Sequence, residues 1–111
     1  MTNHRPTPWR QILESGFDLG AYAYKNLPTG SRNVVLEAST WNPTQPAVIC
    51  FFVDLDSNQR YRLSVFRNRK TDRYGPEELD LSGVAPGEKL QIKIHQNGTG
   101  SYRIQEAKRT T

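Results

Sequence analysis

The chain has 111 residues, a length that holds one core and not two. Its 15 Lys and Arg against 11 Asp and Glu leave a net charge of +4, mildly basic, so the placement of charge must carry any argument about partners. A single cysteine excludes an internal disulfide framework and a cysteine-rich zinc site.

Residues 1–8 carry two prolines and no periodicity, and read as a flexible N-terminal arm. They lack the apolar run of a signal peptide, and nothing downstream approaches the ~18 consecutive apolar residues of a membrane span. The expected setting is cytoplasmic, with no membrane association. A short helix follows: Thr7 as its cap, Pro8 at the first position, Trp9, Ile12 and Leu13 at helical spacing, and Gly16 as a left-handed stop against which Phe17 packs back.

From Leu19 the period changes to two. A strand is expected over 19–26 with Tyr22 and Tyr24 on one face, then a turn at Leu27-Pro28-Thr29-Gly30. The β-branched stretch from Asn33 to Trp41 is a second strand, with Glu37 marking a wet face. Asn42 to Pro46 is a loop, because its two prolines cannot serve a central ladder. Ala47 to Leu55 is apolar on both faces, the pattern of a central strand covered on each side. Cys50 lies within that run and reads as a small buried hydrophobe. Trp41 reads as core, with an exposed interface anchor as the alternative.

Arg60 to Arg67 pairs back as a hairpin. Tyr61, Leu63 and Val65 point one way, and Arg60, Arg62, Ser64 and Phe66 the other. Asn68 to Gly75 is a charged loop, and Pro76 to Gly83 is expected to form one or two helical turns. A last hairpin has Leu90, Ile92 and Ile94 inward on one arm, Tyr102 and Ile104 on the other, and Asn97-Gly98-Thr99-Gly100 between them. The domain is thus expected over 9–106, followed by a polar tail at 107–111. The order predicts a mainly β fold: a small, partly open antiparallel barrel, OB-like or SH3-like, with a short N-terminal helix. A small β-sandwich is the alternative.

Catalytic readings fail on inventory. His4 and His95 fall on the arm and on an outward strand face, and no motif gathers them with a nucleophile or with metal ligands. Asp54-Leu55-Asp56-Ser57-Asn58 opens like a calcium loop, but Gln59 stands where glycine is required and Val65 where glutamate is. Glu77, Glu78 and Asp80 read as a solvated acidic face. No cofactor, metal site or enzymatic activity is expected.

The charge distribution is more informative. Between Arg60 and Arg73 six cations stand against Asp72 alone, a local +5, while the rest of the chain sums to −1. Arginine grips phosphate through a planar fork and stacks on rings. Phe66 on the outward face and Tyr74 on the adjoining loop supply aromatic surface among these charges. The pattern points to a non-catalytic binding module for single-stranded DNA or RNA, using Arg60, Arg62, Phe66, Arg67, Arg69, Lys70, Arg73 and Tyr74. Lys89, Lys93 and Arg103 would extend the positive field. The competing expectation is a protein interaction module, a regulator or inhibitor, that engages an acidic protein surface with the same arginines.

Overall fold

The computed structural model describes residues 4–110. Its strands are β1 (Gly30–Trp41), β2 (Ala47–Asp54), β3 (Arg60–Asn68), the two-residue β4 (Arg73–Tyr74), β5 (Lys89–Gln96) and β6 (Tyr102–Arg109). They form one antiparallel sheet in the order β4-β3-β2-β1-β5-β6. The sheet curls until β3 and β6 lie near each other with no ladder between them. This is the small, partly open barrel that the order of elements predicts; a single sheet leaves no place for the sandwich.

The apolar run of β2 explains the layering. Alternate residues Val48, Cys50 and Phe52 face the interior. There they meet Val34 and Leu36 of β1, Tyr61, Leu63 and Val65 of β3, Leu90, Ile92 and Ile94 of β5, and Ile104 and Ala107 of β6. Phe51 faces outward and is equally buried, under a second cluster built from Ile12, Tyr22, Trp9 and Phe17. Phe17 stacks on Tyr22 at 5.4 Å and meets Phe51 edge-on at 5.0 Å. The helix α1 (Trp9–Glu14) stands over this face, and Gly16 ends it with φ at +79°, the left-handed conformation that glycine takes without a Cβ penalty. Burial of Cys50 pushes its thiol up to about 12, so it packs as an inert hydrophobe.

Several expectations are corrected. Thr7 does not cap α1 with its side chain. Its backbone instead bridges to β1, donating to the Ser39 carbonyl at 2.9 Å and accepting from the Trp41 amide at 3.1 Å. Pro6 is buried, so the arm is docked at Pro6 and Thr7; residues 1–3 lie outside the described residues. The strand expected over 19–26 is a 3-10 turn at Leu19–Ala21 followed by a single bridge from Ala23 to Tyr61. Tyr22 is drawn down onto Phe51, and Asn26, with φ at +56°, breaks any extended run. Of the helical turns expected over 76–83, only the 3-10 turn Leu81–Gly83 forms. Asp80 caps it locally, accepting from the Ser82 amide at 3.1 Å, a bond that competes with helix. The tail at 107–111 is strand as far as Arg109: Ala107 is small enough to pack inside opposite Ile92, and Arg109 pairs with Glu88 at 2.7 Å.

One end of the barrel is closed by a buried carboxylate. Asp54 Oδ2 accepts from Arg32 Nε at 2.8 Å and from the Tyr61 hydroxyl at 2.9 Å. Its Oδ1 accepts from the Asp56 and Ser57 amides at 2.9 and 3.2 Å, which fixes the turn into β3. Burial by itself raises the Asp54 pKa, but these hydrogen bonds outweigh it and hold the carboxyl below its ordinary value. Burial and the bond to Asp54 both push the Tyr61 hydroxyl up. Because the folded-state pKa is depressed, the contribution is whole above the ordinary value of 3.8 and is lost as pH falls from there through the lower folded-state value. Asp54→Ala is expected to cost about 3 kcal/mol in urea unfolding near neutral pH, since it strands Arg32 and Tyr61. That difference from the parent chain should narrow below pH 4.

Candidate functional site

The sequence-predicted residues sort by the sheet geometry. β3 alternates as expected: Tyr61, Leu63 and Val65 are buried, and Arg60, Arg62, Ser64 and Phe66 lie on the other face. Phe66 is 52% exposed and Tyr24, expected from the sequence in a strand, is 57% exposed. The Arg62 guanidinium lies over the Tyr24 ring at 4.9 Å, and Lys25 over the same ring at 5.4 Å. The structure therefore supplies a second outward ring beside β3.

The six cations of the Arg60–Arg73 stretch are not equivalent. Arg60 Nε meets Glu37 at 2.9 Å, and Glu37 also accepts from the Tyr22 hydroxyl at 2.7 Å. A register shift between Leu36 and Ala38 in the pairing of β1 with β2 places Glu37 there. Burial raises the Glu37 carboxyl, yet its bonds from Tyr22 and Arg60 hold it low; Tyr22, buried and bonded to Glu37, is pushed up to about 12. Arg67 pairs with Asp72 at 2.8 Å, an exposed contact of little energetic weight. Arg62, Arg69, Lys70 and Arg73 have no carboxylate within pairing distance among the described residues.

Tyr74 is placed differently from the expectation. Its ring packs against Trp41 at 5.2 Å and 69°, and together the pair covers the end of the core opposite Asp54. Tyr74 is thus a lid residue and not a free stacking surface. Gly75 follows with φ at +105°, and a Cβ there would approach Val65 and Leu81 at 3.1 and 3.2 Å, so this turn admits only glycine without rearrangement. Of the three outlying cations, Arg103 lies on β6 facing Phe66 across a hollow, Lys93 is near Glu106 at 3.5 Å, and Lys89 is exposed.

Two hollows run side by side along β3. One, of about 430 Å³, is lined by Tyr24, Arg62, Ser64, Gly100, Ser101 and Tyr102 among others. The other, of about 420 Å³, is lined by Phe66, Asn68, Asn97, Tyr102 and Arg103 among others. Ser64, Ser101 and Tyr102 border both. They form one groove along the seam between β3 and the β5–β6 hairpin, with Tyr24 at one end and Phe66 at the other. Sequence reasoning missed Tyr24, Asn97, Ser101 and Tyr102 as groove residues. Tyr24 was hidden by its period-two spacing from Tyr22, which put it on the face of a ring that the fold buries. The hairpin residues had no signal, because only the curl of the sheet brings them to β3.

Among the described residues no group of His, Cys, Asp or Glu is placed to hold a metal ion, and no helix is long and apolar enough to cross a membrane. His95, Glu77 and Glu78 are exposed, and Asp80 is spent on its turn. Comparison with family models, with curated proteins and with solved structures finds no match to this chain.

The division between groove and lid is checkable by stability. Tyr74→Ala is expected to lower unfolding free energy by about 2 kcal/mol, as loss of a packed aromatic does. Phe66→Ala and Tyr24→Ala are expected to stay within about 1 kcal/mol of the parent in the same urea titrations.

Proposed function

We propose that this chain binds single-stranded nucleic acid in the seam groove, with one base stacked on Phe66, a second displacing a cation from over the Tyr24 ring, and phosphates held by the cations around them. The observation that carries this reading is the pairing of two exposed rings at the two ends of one groove that also holds Arg62 and Arg103. Arg62 and Phe66 are four residues apart on a strand, ~13 Å, so a flexible chain can lay bases on both rings while its backbone runs between them. Arg69, Lys70 and Arg73 stand free beyond the Phe66 end, where the strand would leave the groove. In partly open barrels of the OB type, oligonucleotides lie on the second and third strands and on the loops after the first and fourth; here β3 and the last hairpin border the groove, and the loop at 42–46 does not.

The chemistry favours a single strand over a duplex. A duplex keeps its base faces stacked inside and offers none to Phe66, and α1, only six residues long, turns its apolar side to Phe51. Each stacked base contributes roughly 1–3 kcal/mol, and every base has a ring face, so binding is sequence-tolerant. Arginine phosphate contacts add a term that weakens with salt. The competing partner, an acidic protein surface, would need the arginines and not the rings.

Fluorescence anisotropy with labelled single- and double-stranded oligonucleotides over a salt series tests the reading. Phe66→Ala and Tyr24→Ala should each weaken single-strand binding roughly tenfold. Arg62→Glu should weaken it and flatten the log–log salt slope by about 0.7 per lost phosphate contact. Wild-type affinity in all three variants, or equal affinity for the duplex, would remove this groove from consideration.

A further inference from the structure

Backbone groups on a β-strand alternate sides, so one edge of β3 carries the N–H and C=O of its even-numbered residues and the other edge those of its odd-numbered ones. Which edge faces β2 is fixed by the hydrogen bonds. The Arg62 amide donates to the Ala23 carbonyl at 2.9 Å, and the Ala23 amide donates to the Arg60 carbonyl at 3.1 Å, both on the side away from β2. At the other end of the strand, the Gly75 amide donates to the Phe66 carbonyl at 3.2 Å on that same side. The even edge of β3 is therefore covered at both ends by neighbouring segments of the chain.

Between those covers four groups remain: the Arg62 carbonyl, the Ser64 amide and carbonyl, and the Phe66 amide. No ladder, bridge or loop hydrogen bond reaches them among the described residues: β3 pairs with β2, with β4 at Arg67 and Asn68, and with Ala23 at Tyr61. They open onto the groove at Ser64, the β3 residue common to both hollows. An unpaired stretch of sheet edge is normally blunted or covered. This one is covered above and below and left bare only inside the groove.

We infer that this bare edge reads nucleobases. Along a strand edge, the C=O of one residue and the N–H of the residue two further on sit side by side as an acceptor and a donor. The edge thus offers two such couples, Arg62 C=O with Ser64 N–H and Ser64 C=O with Phe66 N–H. Nucleobases carry the complementary neighbours on their edges: an amino group beside a ring nitrogen in adenine and cytosine, a carbonyl beside a ring N–H in uracil, thymine and guanine. A couple of this kind accepts either arrangement by a flip of the base. The contact therefore demands a base without choosing strongly among the four.

An exposed ring stands at each end of the couples, Tyr24 by Arg62 and Phe66 itself. A base stacked on either ring has its edge directed along the groove toward Ser64. Three residues of open edge, walled by Ser101 and Tyr102, are too few for the ladder of an added peptide strand, whereas one base fills one couple. The inference rests on the single-strand reading above and adds to it a hydrogen-bonded role for the β3 backbone.

The test separates the two. Binding of oligodeoxyadenosine to the wild-type chain is compared with binding of the same strand built from N6,N6-dimethyladenine, which keeps its ring face and its phosphates and loses its amino donors. Ser64→Pro, which removes the amide directed into the groove without breaking a ladder bond to β2, is compared with Ser64→Ala, which controls for loss of the hydroxyl. The expected result is about fivefold weaker binding of the dimethylated strand and of Ser64→Pro, with Ser64→Ala within twofold of the parent. Equal affinity of the wild-type chain for the two strands overturns base reading and leaves stacking and phosphate contact standing. No binding of either strand overturns the function itself. The ligand comparison uses unaltered protein, so it remains decisive even if Ser64→Pro fails to fold.

Discussion

A central strand that is apolar on both faces must be covered twice, and most of this molecule follows from that requirement. Inside, β2 is covered by the curl of its own sheet. Outside, Phe51 needs a lid, and the N-terminal segment supplies it through Ile12, Phe17 and Tyr22. Full burial of a phenylalanine side chain is worth about 2–3 kcal/mol. That is enough to hold a helix of six residues, far too short to persist alone. The lid is as wide as its own side chains. It shelters Phe51 and borders Ile49, and beyond it the outward face of β3 stays wet at Phe66.

Two further contacts set the limits of the open seam. At one end Asp54 ties β1 to β3 through Arg32 and Tyr61. At the other, the Tyr74 ring on Trp41 brings β4 back over the core. Ala23 and Gly75 then occupy the edge of β3 near its two ends. What remains between them is short, polar and flanked by rings. A groove of this kind is not a defect of closure, because the same contacts that close the barrel define its length.

The parts of the fold that local pattern controls were legible. Strict alternation in Arg60-Tyr61-Arg62-Leu63-Ser64-Val65-Phe66 identified which face is wet, and Phe66 is indeed exposed. The unbroken run of Ala47 to Val53 identified the central strand. Gly16 and Phe17 marked the helix end and its return contact. What was not legible depended on partners far away in sequence. Tyr22 and Tyr24 look like one face of a strand, but Phe51 pulls the first in and leaves the second out. Tyr74 looks like an exposed loop aromatic until Trp41 is placed beneath it. Ala107 and Arg109 look like the start of a tail, yet Ile92 and Glu88 on β5 and its approach give them partners. The hairpin residues Asn97 and Ser101 carry no chemical signal at all, and their position opposite β3 is purely topological.

Charge shows the same division. The sequence places six cations in a cluster, but only the fold separates those held by Glu37 and Asp72 from those left free of a carboxylate. The central claim, that the seam between β3 and the last hairpin is the ligand surface, is tested most directly by mapping amide chemical shifts during titration with an unlabelled single-stranded oligonucleotide. The account predicts perturbations concentrated at Tyr24, Arg62 to Phe66 and Asn97 to Arg103, with α1 and its packing partners unmoved. Perturbations confined to α1 or scattered without a centre, or a spectrum unchanged at saturating strand and low salt, would contradict it.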